Sequence, residues 1–445
     1  MAVSPDSSSE PSASQRGASS APLVVTPLVV IGAGAAGLLA ALFAGRAGAR
    51  VVLVETRPKP GAKIRVSGGG RCNVLPSQAQ LEDFFTAGSR NALRNVFASW
   101  PLAEVRAFFE QDLGVALKVE DTGKVFPTSD DPREIVDGLL NACAAAGVEL
   151  RAGERVVALR RIGSPERADE PRFELEFEGG ALLRAQSVVL ATGGLSLPKT
   201  GSDGFGFEAA RALGLRVHTT YPALAPLISA DPAWGELAGV SLRVEVRAYA
   251  GDKELDRSAG DFLFTHCGFS GPVALDMSRH VTAPGAEQVQ LVAAWLGFDA
   301  AEWEKRLLAG GSRSVEGVLR EVLPRRLVAR LVALAQAPGG RKLAELTRDE
   351  RKRLVRALAA CPLAVAGNEG YRTAEVTGGG VALDEVVTKT LEARSIPGLY
   401  FAGEVLDVIG RIGGFNFLWA WVSGRKAGLA AAQALRERAA APPAG

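Results

Sequence analysis

Val29-Val30-Ile31-Gly32-Ala33-Gly34-Ala35-Ala36-Gly37-Leu38-Leu39-Ala40-Ala41 runs from an apolar strand through three spaced glycines into an alanine-rich helix. In that pattern Gly32 makes the tight turn, Gly34 lets backbone approach a pyrophosphate, and Gly37 lets the helix pack close to the strand. The free N–H groups of Ala35 and Ala36 then face the phosphates at the positive end of the helix dipole. Alone, a GxGxxG is weak. Here a second apolar strand, Ala49 to Val54, ends in Glu55, 23 positions after Gly32, where a carboxylate can accept both hydroxyls of an adenosine ribose. The stretch predicts a dinucleotide-binding βαβ unit.

Residues 56 to 74 carry little apolar periodicity and read as a ligand loop. Ser67, Gly68, Gly69 and Gly70 place bare backbone beside the cation of Arg71 and the amide of Asn73, which suits a phosphate or a polar flavin edge. Lys63 and Val156 are assigned to the same cofactor site. Residues 81 to 111 read as amphipathic helices, residues 117 to 127 as a hairpin around Asp121-Thr122-Gly123, and Asp131-Pro132 as the start of a helix that stops at Gly147. A buried strand, Ser187 to Ala191, ends in Thr192-Gly193-Gly194, where small residues let the chain run close to a cofactor.

A second strand–acid–glycine–helix unit lies far downstream: Gly398 to Ala402, then Gly403-Glu404 and Asp407, then Gly413-Gly414-Phe415-Asn416 opening a helix. A ligand touched at two ends favours FAD over NAD, with Glu404 or Asp407 on the ribitol chain and a second helix start near the flavin. Between the two units the character changes. Strand-like alternation after Tyr221 gives way to Leu-, Ala-, Arg- and Glu-rich helical spacing from Ala300 to Ala360. The expected organisation is a disordered Ser/Ala/Pro-rich tail (1–22), the first part of the FAD domain (23–220), an inserted substrate domain (221–371), the second part (372–436) and a short tail (437–445).

Composition bounds the rest. The 445 residues are 47% hydrophobic and 22% charged with net charge +2, enough for two or three cores and without a basic block that would suggest nucleic acid or a membrane surface. The four cysteines form no CxxC pair, which argues against a zinc site or redox disulfide and fits a reducing cytoplasm. Neither a secretory signal nor an uninterrupted spanning segment is evident.

Val66-Ser67-Gly68-Gly69-Gly70-Arg71-Cys72-Asn73, Lys124 to Pro127, Phe264-Thr265-His266-Cys267-Gly268-Phe269-Ser270-Gly271-Pro272 and Val376-Thr377-Gly378-Gly379-Gly380, with the two glycine units, occur in one order across most of the chain. In these motifs the sequence resembles the BaiN/RdsA-type NAD(P)/FAD-dependent oxidoreductases, a family that includes an aminoacetone oxidase. The resemblance implies an α/β fold, a Rossmann-like two-part FAD domain with an inserted β-barrel-like domain and a small helical portion. Arg65, where relatives usually have an aliphatic residue, and Phe415-Asn416, where they often have Tyr-Asn, depart from the pattern.

The leading expectation is an FAD oxidoreductase that moves a hydride between the flavin and a small organic substrate or NAD(P)H. Arg71 and His266 are its candidate catalytic side chains, the latter as proton donor or substrate anchor. An amine oxidase releasing peroxide and a flavin-binding sensor are the alternatives. With no second GxGxxG and following acid, NAD(P)H has to dock in the flavin cleft itself. Substrate identity and subunit number are not written in these motifs.

Overall fold

The computed structural model describes residues 25–163, 170–286 and 288–440. The expected N-terminal tail lies outside them. At the other end the last helix runs to Ala440, four residues into the expected short tail.

The centre is a parallel sheet in which Leu399–Phe401, Leu182–Leu190, Val25–Ile31, Val51–Glu55 and Glu149–Ala152 lie side by side. Strands buried on both faces read as continuous apolar runs, and Leu28 to Val30 and Val51 to Val54 are all within 1% of full burial. The two glycine units, far apart in sequence, thus flank one strand, Leu182–Leu190. Helix Ala35–Arg46 packs along the long C-terminal helix Phe415–Ala440, whose Gly424 and Gly428 leave no room for a Cβ against the Ala36 and Ala40 carbonyls.

The insertion has a separate core of its own. Its seven strands form an antiparallel sheet whose two edges are Cys361–Leu363 and Val365–Asn368. Only Ala364 separates these edge strands, so the sheet curls until they meet, which gives the expected barrel-like shape. Helix Pro272–Thr282 packs on this sheet, and helices Ala300–Ala309, Arg325–Leu334 and Arg348–Ala359 supply the helical portion. The chain enters and leaves the insertion through an antiparallel pair, Val217–Ala223 with Val376–Val381.

Insertion and FAD domain meet over a small apolar cluster, including Leu224, Leu275, Val376 and Ile409, ringed by charge. Arg411 reaches Asp83 at 3.5 Å and Asp256 at 3.4 Å, Arg279 pairs with Asp256 over the ring of Phe85, and buried Asp276 accepts from the Ile412 N–H at 2.7 Å. Among the described residues no helix is long and apolar enough to cross a membrane.

Candidate functional site

Gly32 turns with φ +100°, and a Cβ on Gly37 would sit 1.7 Å from the Gly32 carbonyl oxygen, so strand and helix touch backbone to backbone. Gly34 differs: beyond its own chain neighbours, no atom of the described residues lies within 4 Å of the place a Cβ would take. That place opens into a cavity of about 790 Å³ lined by Gly32, Gly34, Ala35 and Ala36. Helix Ala35–Arg46 begins there with no side-chain cap and no acid in its first turn. Uncapped N–H groups facing a cavity are a ready site for an anion.

At one end of the cavity stands Glu55. Its carboxylate accepts from the Ala33 N–H at 2.7 Å and the Arg57 N–H at 2.8 Å, and burial pushes its pKa up against those two hydrogen bonds. Each oxygen keeps a free lone pair for a ribose hydroxyl. Val156, Gly201 and Ser202 line the same end.

The ligand loop is more ordered than its sequence suggests. Residues 62 to 66 are helical, the chain breaks at Ser67, and Gly68 and Gly69 adopt φ of +57° and +70°. The side of the loop carrying Ser67, Gly69, Arg71 and Asn73 lines the cavity. Arg71 lies over the Phe126 ring and donates to Glu120 at 2.6 Å. The Asn73 amide, oriented to satisfy both its sides, donates to the Leu75 and Val125 carbonyls and accepts from the Gly414 N–H at 3.1 Å, joining the two halves of the FAD domain.

In the second unit Gly403, Glu404, Gly413, Gly414 and Asn416 line the cavity, as do Thr192 and Gly193 from the neighbouring strand end. Glu404 is already occupied: one oxygen accepts from Lys63 Nζ at 2.7 Å, the other from Ser196 Oγ at 2.8 Å and the Thr377 N–H at 2.9 Å. Lys63 also donates to Ser196 at 2.8 Å. Ser196 and Thr377 were not among the expected site residues; their hydroxyls carry no periodic signal, and only the crossing of three chain segments gives them a role. Asn416 braces its own loop, accepting from the Gly410 N–H and donating to the Gly410 carbonyl.

Several expected residues stand elsewhere. Asp407 is buried outside the cavity wall, accepting from the Ala87 N–H at 2.9 Å and Thr86 Oγ1 at 3.3 Å, because the chain turns after Val405 and carries it behind the strand. Gly37 packs against Gly32, Gly70 is exposed, and Phe415 stacks edge-on to Phe84. Gly194 makes room for the Glu404 network, since a Cβ there would fall 2.4 Å from Thr377 Oγ1. His266 is not brought to the cavity. It is exposed in the turn between strands Lys253–Phe264 and Gly268–Ser270, a turn closed by Thr265 Oγ1 accepting from the Gly268 N–H. Among the described residues no His, Cys, Asp and Glu cluster could hold a metal.

An elongated cavity with a ribose-type acid at one end, bare helix N–H groups along it and a second helix start at the other fits FAD. When bound, that cofactor supplies hydride transfer through its flavin ring.

The model of the HI0933-like protein Rossmann domain matches residues 26–430. The chain is 35% identical over 401 residues to the ribosomal RNA dihydrouridine synthase of Escherichia coli K12, covering 89% of this chain and 95% of that one. It is 32% identical over 415 residues to the 3-dehydro-bile acid delta(4,6)-reductase of Clostridium scindens, covering 91% and 98%. Among solved structures, the 3-ketosteroid-delta4-(5alpha)-dehydrogenase of Rhodococcus jostii RHA1 superposes with a TM-score of 0.48 at 17% identity, over 94% of this chain and 99% of that one. The chain belongs to the HI0933-like Rossmann family, the BaiN/RdsA-type flavoproteins.

Proposed function

We propose that this protein is an FAD-dependent reductase that hydrogenates a carbon–carbon double bond conjugated to a carbonyl, with NAD(P)H as electron donor in the same cavity. The observation that carries the reading is the single continuous cavity from Glu55 to the insertion, which offers one place over the flavin for both donor and substrate. The two relatives support the type of reaction, because a dihydrouridine synthase and a delta(4,6)-reductase are both named for saturating a ring double bond. One cleft for two partners used in turn implies ping-pong kinetics. The chain's own work is to hold the ring, through the Glu55 end, the Ala35–Arg46 helix start and the Asn73–Gly414 link, and to exclude water beneath the insertion. The four unbridged cysteines fit a reducing cytoplasm.

The test is anaerobic stopped flow on the FAD-loaded protein. Bleaching by NADH or NADPH, followed by reoxidation with a conjugated ketone or a uridine-containing RNA, is the expected outcome. Failure of both nicotinamides together with fast peroxide release from a small amine replaces the reading with an amine oxidase; no turnover in either direction leaves a flavin-binding sensor.

A second reading concerns what carries the double bond. The net charge of +2 hides a split: residues 300–360 hold 14 Lys and Arg against 7 Asp and Glu, and the remainder of the chain holds 37 against 42. Arg348, Lys352 and Arg356 repeat at helical i, i+4 spacing, are exposed, and have no acidic partner among the described residues. A near-neutral total therefore does not exclude a polyanion, and this basic portion favours a base within RNA over a free small molecule. Reoxidation by RNA that weakens steeply with salt, while reoxidation by a free ketone does not, supports it.

A further inference from the structure

A dinucleotide is directional. With the ribose acid Glu55 at one end and the pyrophosphate at the Ala35–Arg46 helix start, the redox ring belongs at the opposite end, where the insertion closes the cavity with Leu224 and Pro272. Glu375 lines that end, immediately before strand Val376–Val381. Its backbone is fixed by an N–H donated to the Leu224 carbonyl at 3.2 Å, yet its carboxyl has no hydrogen-bond partner among the described residues.

That sets it apart from the other acids of the wall. Glu404 is held by Lys63, Ser196 and Thr377; Glu55 by two backbone N–H groups; Asp203 by Arg155 and the Phe205 N–H. Glu154, whose carboxyl also has no partner among the described residues, follows the Glu55 end of the sheet, its N–H bonded to the Glu55 carbonyl. Glu375 is exposed to the cavity, and the charged groups facing it are Lys63 and Lys124; its setting deep in the cleft raises its pKa by more than these two cations lower it, towards the working range of a general acid.

We propose that Glu375 is the proton donor of the reaction. The substrate's double bond takes a hydride at its β carbon from reduced flavin and a proton at its α carbon from the Glu375 carboxyl. The C=C becomes CH–CH, the flavin is left oxidised, and Glu375 is left as a carboxylate facing Lys63 and Lys124 until water reprotonates it. This rests on the cavity being a reductase site.

The test compares wild type with Glu375→Gln, using dithionite to reduce the flavin and 2-cyclohexenone to reoxidise it. Expected for Glu375→Gln are unchanged FAD content and unchanged reduction by dithionite, but reoxidation slowed roughly 10²- to 10⁴-fold. Wild-type reoxidation should fall as pH rises through the Glu375 pKa, a limb that disappears in Glu375→Gln and returns in Glu375→Asp. In the FAD-free protein, infrared difference spectra should show a protonated carboxyl band that titrates in wild type and is missing in Glu375→Gln. If wild type reoxidises with the enone and Glu375→Gln does so at the same rate and with the same pH profile, the role of Glu375 is overturned alone. If reduced wild type reacts with oxygen but with no conjugated carbonyl, the reductase reading fails and the proposal with it.

Discussion

Glu55 and Glu404 end the same local pattern, an apolar strand closed by an acid, and the fold uses them in opposite ways. Glu55 is met by the N–H groups of Ala33 and Arg57 in its own βαβ unit. Among the described residues no cation neutralises it through a salt bridge, and its remaining lone pairs stay open to the cavity. Glu404 is met by Lys63, Ser196 and Thr377 from three distant segments, and each oxygen is engaged inside the protein. A strand-end acid thus keeps lone pairs open where only local backbone answers it, and is engaged on both oxygens where distant side chains do.

That contrast can be broken at several points. The largest effect is expected at the glycines that frame it. Gly37→Val should disrupt the unit outright, since its Cβ would overlap the Gly32 carbonyl at 1.7 Å, a backbone clash that no rotamer relieves and that exceeds the about 1–3 kcal/mol typical of side-chain overpacking. Gly34→Val points only into the cavity, so the FAD-free protein should melt normally while flavin absorbance is lost. Normal flavin content in purified Gly34→Val would remove the pyrophosphate assignment.

Next is the lock. Lys63→Met leaves Glu404 unpaired at 16% side-chain exposure, and breaking such a buried pair should approach the low end of about 3–5 kcal/mol. Adding Glu404→Gln should recover much of that loss in denaturant melts; a double variant no more stable than Lys63→Met argues against a lock. Glu55→Gln is predicted to do the reverse, weakening FAD by roughly 1.5–3 kcal/mol for a lost charge-assisted hydrogen bond with little change in the melting of the FAD-free protein. Fluorescence titration with FAD separates the two residues.

The smallest effect concerns pH at the insertion end. Burial pushes the Asp276 carboxyl up from 3.8 to about 6, although it accepts from Ile412 and lies near Arg411 and Arg279. Because the folded-state pKa lies above the unfolded one, its contribution to stability is greatest below the unfolded value and declines as pH rises through the interval to about 6. Asp276→Asn keeps an acceptor for Ile412, so melts between pH 4 and 7, spanning roughly that interval, should flatten relative to wild type. An unchanged pH dependence would place the titration elsewhere.

Much of the cofactor side was legible because its chemistry is local. A turn, an uncapped helix start and an acid at a strand end are consequences of residues close together in the chain, so Gly32, Gly34 and Glu55 could be read where they stand. His266 and Asp407 could not be placed this way. Both sit in motifs, but a turn of the rolled sheet leaves His266 exposed, and the bend after Val405 takes Asp407 to Thr86 and Ala87. Glu375, adjoining a glycine strand, offered no spacing to single it out.

The parallel sheet, the glycine turn and the interruption between its two halves follow from the order of residues alone, since apolar runs and glycine steric freedom act over a few residues. Which acids keep open lone pairs is settled by long-range packing. That depends on which charges distant segments deliver: Lys63 reaches Glu404 across 341 residues, while among the described residues the Glu375 carboxyl has no hydrogen-bond partner.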